Sequence, residues 1–187
     1  MSSALGSNEI IVGFFEGVFA RITFPLWLFL IGTVFSALIQ SSSAAIGISV
    51  AMVASGLLPF ESAIFIVIGA NLGTSFTAII ASLPCNRNAK RVGLFHVVFN
   101  LLGAILFLAI VWPLQGVLVP WYQGLIYDPV IQMSVFHVVF NTVTMLALVS
   151  FIVPLNKLVC WIIKDKQEDV LQKETACSKI AKEQEIF

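Results

Sequence analysis

Charge is what this sequence has least of. Asp, Glu, Lys and Arg make up 11% of its 187 residues, where soluble domains carry about 25%. With 59% hydrophobic residues and a mean hydropathy of +1.00, a soluble domain is excluded and an all-α integral membrane protein is expected. Formal net charge is zero, so no bulk electrostatic case for nucleic-acid binding exists. Cysteine is sparse too. Cys85, Cys160 and Cys177 are widely spaced, form no metal motif, and read as ordinary thiols; no cofactor is implied. The first ten residues lack a basic region, and no cleavage-site pattern follows, so no secretory signal is read. Within the expected spans the only charged residue is Glu61, at an end. A proton relay built on carboxylates is therefore unsupported.

Two polar islands stand out against this background. The first is Gln40-Ser41-Ser42-Ser43-Ala44 and the second is Gly69-Ala70-Asn71-Leu72-Gly73-Thr74-Ser75. Lipid offers no hydrogen bonds, and each unsatisfied polar group there costs several kcal/mol. These side chains should face protein, water or a ligand. The glycines around Asn71 suggest a helix that breaks within the membrane, as carriers do where they bind substrate.

Residues 1–23 read as an N-terminal segment, with a short apolar stretch at 10–20 suited to an interfacial helix. Phe24–Ile39 and Ala44–Leu57 are apolar runs of sixteen and fourteen residues flanking the first island. A span needs about twenty residues. The 34 residues from Phe24 to Leu57 are too many for one span and few for two plus a turn. A re-entrant hairpin fits, with the serines turning at membrane depth. Three spans follow, at Phe60–Ser82, Val92–Trp112 and Ile131–Val153. Residues 113–130 read as a loop containing Pro113 and Pro120, and Pro154 as the end of the last span. Residues 24–153 form the membrane unit and 154–187 a cytosolic tail.

Arg87, Lys90 and Arg91 lie two spans before Lys157, Lys164 and Lys166, hence on the same side. Positive charge near span ends marks the cytoplasm, so a multi-pass protein of the cell membrane is expected. The hairpin and the amino terminus then lie outside. Without a signal peptide, an outside terminus suggests a fragment, or a partner that supplies preceding helices. Trp112, Trp121, Tyr122 and Tyr127 would form an outer aromatic belt.

Phe95-His96-Val97-Val98-Phe99-Asn100 recurs as Phe136-His137-Val138-Val139-Phe140-Asn141, 41 residues on. In each copy His and Asn are four apart and share a helix face. Packing between helices accounts for His96, Asn100, His137 and Asn141 as supporting polar residues.

The serine cluster carries more chemistry. A helix beginning near Ala44 points free N–H groups and a positive dipole end at Ser41, Ser42 and Ser43, which suits an anion. The same hydroxyls, the Gln40 amide oxygen and turn carbonyls are neutral oxygen ligands for Na⁺. Donors for an anion beside acceptors for a cation suit an anion–sodium cotransporter, with Asn71, Thr74, Ser75 and Thr77 available to complete the site. A serine hydrolase using His96 or His137 is the rival. It lacks a glycine-flanked nucleophile, and the protein is not read as an enzyme. A non-transporting scaffold or regulatory subunit is a third reading.

These motifs, with Arg91 ahead of His96-Val97-Val98-Phe99-Asn100, resemble the type II sodium–phosphate cotransporter family, particularly its bacterial members, from about Leu28 to Val153. The resemblance implies inorganic phosphate as substrate and Na⁺ as coupling ion. It places Gln40, Ser41, Ser42 and Ser43 on phosphate and sodium, with Asn71 and Thr74 beside them. The family is built from two inverted repeats, each with a glutamine-serine motif. This sequence has one such motif, in an order that resembles the second repeat. The expectation is one half of a transporter, whose partner is a second repeat from a separate chain, from upstream sequence or from another copy. The cytosolic helical domain of many bacterial relatives is missing or only begun after Asp165.

Overall fold

A chain this apolar satisfies its backbone internally by forming helices. The computed structural model describes residues 24–164, and every element within them is helical. The expected interfacial helix at 10–20 and the tail from Asp165, with Lys166 and Cys177, lie outside the described residues.

Helix α1 is Pro25–Ile39. Proline suits its first turn because the missing N–H needs no partner there. Gln40 ends it in the left-handed conformation, its N–H donating to Ser36 O at 2.8 Å. Ser41 then caps α2, Ser42–Ala54. Gly56, at φ +72°, turns the chain at its far end. Helix α3 is Phe60–Ser82 and is the most enclosed element, with Ala63 to Ala70 buried without interruption. A helix buried all round must be apolar all round, as this segment is.

Helix α3 runs unbroken through Gly69 and Gly73, so the expected mid-membrane break does not occur. The glycines serve a close helix crossing instead. A Cβ on Gly69 would land on the Phe29 carbonyl, one on Gly73 on the Thr33 carbonyl, and one on Gly32 on the Ile66 carbonyl. Small residues let backbones approach where lipid supplies no hydrophobic drive. Residue numbers rise together on both helices, so α1 and α3 are parallel. Helix α2 therefore runs back in the opposite direction, beside the α1–α3 pair.

Asn86 caps α4, Arg87–Leu125, its Oδ1 accepting from Ala89 N at 3.0 Å. This helix passes through Pro113 and Pro120, which corrects the loop expected at 113–130. Each proline costs the helix one hydrogen bond. Lateral packing holds it together: Val111 and Val119 are buried, and the Tyr122 ring stacks on Phe60 with centroids 5.7 Å apart. Only 126–128 interrupt the chain before α5, Pro129–Leu148, capped by Asp128. Helix α5 runs antiparallel to α4, with Thr144 against Gly103 and Phe140 edge-on to Phe107 at 4.6 Å.

Pro154 does not end the last span. It lies inside α6, Ile152–Ile162, which follows α5 after a tight 3₁₀ turn at Val149–Phe151. The carbonyl that a non-proline at 154 would bond, that of Ser150, lies within this turn. Phe60–Ser82, Arg87–Leu125 and Pro129–Ile162 are each long and apolar enough to cross a membrane. At the far end Arg91 donates from Nε (3.0 Å) and Nη2 (2.7 Å) to the Ile163 carbonyl, and Arg87 donates to that of Lys164. The two basic segments thus meet at one end of the molecule, as the span count requires.

Candidate functional site

The first island becomes a junction of two short helices. At 15 and 13 residues, they rise roughly 22 and 20 Å, each less than the ~30 Å hydrocarbon core. The last carbonyls of α1 and the first N–H groups of α2 converge on Gln40-Ser41. Helix ends leave these groups without helical partners. A partial negative end therefore abuts a partial positive end.

Gln40 holds this turn with φ 59° and ψ 25°, the one left-handed non-glycine among the described residues. Its side chain is exposed. Ser41 is extended, and its Oγ accepts from Ala44 N at 3.2 Å. That bond uses one orphan N–H of the kind a cap satisfies. Ser42 is half-buried and Ser43 exposed, so both hydroxyls remain presented at the positive end of α2.

The second island is arranged differently. Asn71 Nδ2 donates to Asn100 Oδ1 at 2.9 Å, and Asn100 Nδ2 donates to the His96 carbonyl at 3.1 Å. Thr74 Oγ1 donates to Asn71 O at 3.0 Å. Ser75 is fully buried, its hydroxyl donating to Leu72 O at 2.6 Å. Thr77 Oγ1 donates to Thr74 O at 2.7 Å. No hydrogen bond joins these residues to Gln40–Ser43 among the described residues. The glycine register sets Gln40 level with about Thr77, leaving Asn71 roughly 9 Å further back along α3. Among the hydroxyls of Thr74, Ser75 and Thr77, that of Thr77 is thus nearest in height to the turn.

The Asn71–Asn100 pair is the feature that sequence reading missed, although both residues were in view. The repeated hexapeptide was the available signal. His96 is exposed and His137 half-buried, and neither imidazole bonds to a serine among the described residues. In the second copy Asn141 Nδ2 donates to the His137 carbonyl at 2.9 Å, matching the first copy. The serine–histidine dyad of the enzyme reading is thus not assembled.

A family model described as Na+/Pi-cotransporter matches residues 6–117, which take in the hairpin, α3 and most of α4. The chain belongs to the Na+/Pi-cotransporter family. This is a family of transporters rather than enzymes, and membership with three spanning-length helices among the described residues makes the chain a membrane protein. Among its relatives, "Uncharacterized protein YqeW" of Bacillus subtilis is 42% identical over 79 residues, covering 42% of this chain and 26% of that protein. YjbB of Salmonella typhimurium, provisionally named for inorganic phosphate export, is 35% identical over 102 residues, covering 54% of this chain and 19% of that protein. Rabbit "Sodium-dependent phosphate transport protein 2A" is 48% identical over 59 residues, covering 32% of this chain and 9% of that protein. The chain spans about a quarter or less of these relatives. No solved structure matches it.

Proposed function

We propose that the Gln40–Ser43 turn is one half of a site that moves inorganic phosphate together with Na⁺ across the cell membrane. The observation that carries this reading is the opposed helix ends at a strained, side-chain-presenting turn. The N-terminal end of α2, with the Ser42 and Ser43 hydroxyls, favours the anion. The C-terminal carbonyls of α1 and the Gln40 amide oxygen favour the cation. Non-glycine residues in left-handed backbone are uncommon and cluster where function over-determines the local structure. Asn71, Thr74 and Ser75 stand further back along α3 than the level of the turn and, with Asn100, support it through the α1–α3–α4 packing.

On this reading the hairpin is re-entrant, since neither helix is long enough to cross. The second half, with its own glutamine-serine turn, comes from a second repeat. The names of the relatives support phosphate as cargo and differ beyond that: one is named for sodium dependence and another for export. The second reading is therefore phosphate efflux without sodium coupling. Reconstitution with the partner half in vesicles separates them. Labelled phosphate entering only down an imposed Na⁺ gradient supports symport. Equal flux in potassium alone sinks the coupling, and competition by sulfate or arsenate would widen the cargo to other oxyanions.

A further inference from the structure

One hydroxyl beside the Gln40 turn has no partner. Ser36 lies in the last turn of α1 and is fully buried, yet its Oγ makes no hydrogen bond among the described residues. Hydroxyls elsewhere in these helices turn back to a carbonyl three or four residues earlier. Thr33 donates to Phe29 O, Ser49 to Ala45 O, Ser75 to Leu72 O, Thr77 to Thr74 O and Ser82 to Ile79 O. Ser36 does not. A buried hydroxyl left unbonded carries its full desolvation cost, and such a group calls for an occupant such as a water or an ion.

The position of Ser36 selects the kind of occupant. A Cβ on Gly73 would sit 3.0 Å from the Ser36 Cβ, so Ser36 faces the one place on α3 that lacks a side chain. Thr77 follows Gly73 by one turn on that face, and Gln40 follows Ser36 by one turn on α1. Ser36 Oγ and Thr77 Oγ1 thus border one patch of the α1–α3 contact, with the Gln40 amide at the level of Thr77. The last carbonyls of α1, which lack helical partners, lie at the same end. That end carries the negative part of the helix dipole, which repels an anion and attracts a cation. Divalent sites draw on carboxylates, and Glu61, the acidic residue of α3, stands in its first turn at the other end. Neutral oxygens at the C-terminal end of a half-length helix suit Na⁺.

We propose that Ser36 Oγ is the buried ligand of the Na⁺ ion, which enters at the exposed Gln40 and settles one turn deeper, between the end of α1 and the Gly73–Thr77 face of α3. This rests on the sodium-coupled reading of the turn and adds to it a residue and a depth. Anion and cation are then separated by position. Phosphate is held on the Ser42–Ser43 side, at the positive end of α2, and the ion lies behind the turn at the negative end of α1.

The test measures binding of radiolabelled Na⁺ to the purified full chain in lipid nanodiscs, and its thermal unfolding in sodium chloride against choline chloride at equal ionic strength. The unaltered chain should bind Na⁺ and unfold at a higher temperature in sodium. Ser36→Ala should weaken Na⁺ binding about tenfold and lose the sodium-dependent rise. In choline it should unfold at the original temperature or above, because no hydrogen bond is removed. Ser36→Cys, which keeps the size but offers a soft sulfur, should behave the same way. Thr144→Val removes the other unpartnered buried hydroxyl, which meets Gly103 of α4, and should leave Na⁺ binding unchanged. A hydroxyl that only packs, or that holds a water, would leave the sodium rise intact in Ser36→Ala, and that result overturns the proposal. So does an equal loss in Thr144→Val. Na⁺ binding lost in Gln40→Ala but kept in Ser36→Ala overturns the role of Ser36 and leaves the reading of the turn standing. An unaltered chain that binds no Na⁺ also overturns the proposal, while phosphate flux through the assembled transporter still decides the transport reading.

Discussion

At the scale of single residues, Gln40 separates conformation from chemistry. Its backbone is left-handed, a conformation that costs a side-chain-bearing residue roughly 1–2 kcal/mol and glycine almost nothing. Selection for stability alone would favour glycine there. Gln40→Gly should therefore leave the melting temperature unchanged or raised while abolishing phosphate uptake by the assembled transporter. A variant that is stabilised and fully active would show that the amide has no role. Ser41 and Ser43 should divide in a complementary way. Ser41→Ala removes the cap on Ala44 N and should cost about 1 kcal/mol of stability. Ser43→Ala, whose exposed hydroxyl makes no hydrogen bond among the described residues, should leave stability within measurement error but weaken phosphate binding in titration calorimetry. The Asn71–Asn100 amide bond is structural in the same test. Asn71→Leu and Asn100→Leu should show a coupling of about 1 kcal/mol in a double-mutant cycle, measured by unfolding in detergent.

Among the elements, the contact between α1 and α3 decides where the turn lies. Gly32, Gly69 and Gly73 each place Cα where any side chain would meet backbone of the other helix. Backbone cannot move aside as a flexible side chain can, and overpacking of this kind costs about 1–3 kcal/mol. Gly69→Val and Gly73→Val should lower the unfolding midpoint sharply, while Gly47→Ala, with open space around its Cβ, should not. Equal tolerance at all three positions would mean that the helices are not in close contact. The same glycines mark where the sequence was legible and where it was not. Helix α3 and the two half-length helices were readable from apolar run length, because a membrane imposes length directly. Glycine in an apolar run signals either a break or a close approach, and the sequence does not say which. The close approach prevailed because α3 is enclosed on all sides and has partners for its small face. Pro113, Pro120 and Pro154 misled for a related reason: a proline's lost hydrogen bond is affordable when neighbouring helices hold the segment, and those neighbours are distant in sequence. Gln40–Ser43 was legible because polar residues are rare here. The link from Asn71 to Asn100 was not, since pairing across 29 residues depends on a register that only the packed glycines establish.

For the molecule as a whole, the register and the basic end give a testable orientation. Cys85, exposed beside Arg87 and Arg91, and Trp121, exposed at the opposite end of α4, should react with impermeant thiol reagents from opposite sides when each position carries the sole cysteine. Cys85 should label from the cytoplasm, given the basic cluster; labelling of Cys85 from outside would invert the topology. Transport itself makes the larger demand. Alternating access moves one repeat against another around a fixed site near the midplane. This chain offers one glutamine-serine turn, at the junction of one pair of opposed helix ends. Inverted copies would need insertion in both directions, which the one-sided cluster of Arg87, Lys90, Arg91, Lys157 and Lys164 opposes. The purified 187-residue chain should therefore insert in one orientation and show no gradient-driven phosphate uptake. Co-reconstitution with a protein supplying the other glutamine-serine repeat should restore sodium-dependent uptake, and Gln40→Gly should remove it again. Phosphate uptake by this chain with no other protein present would show that an inverted second turn is not required.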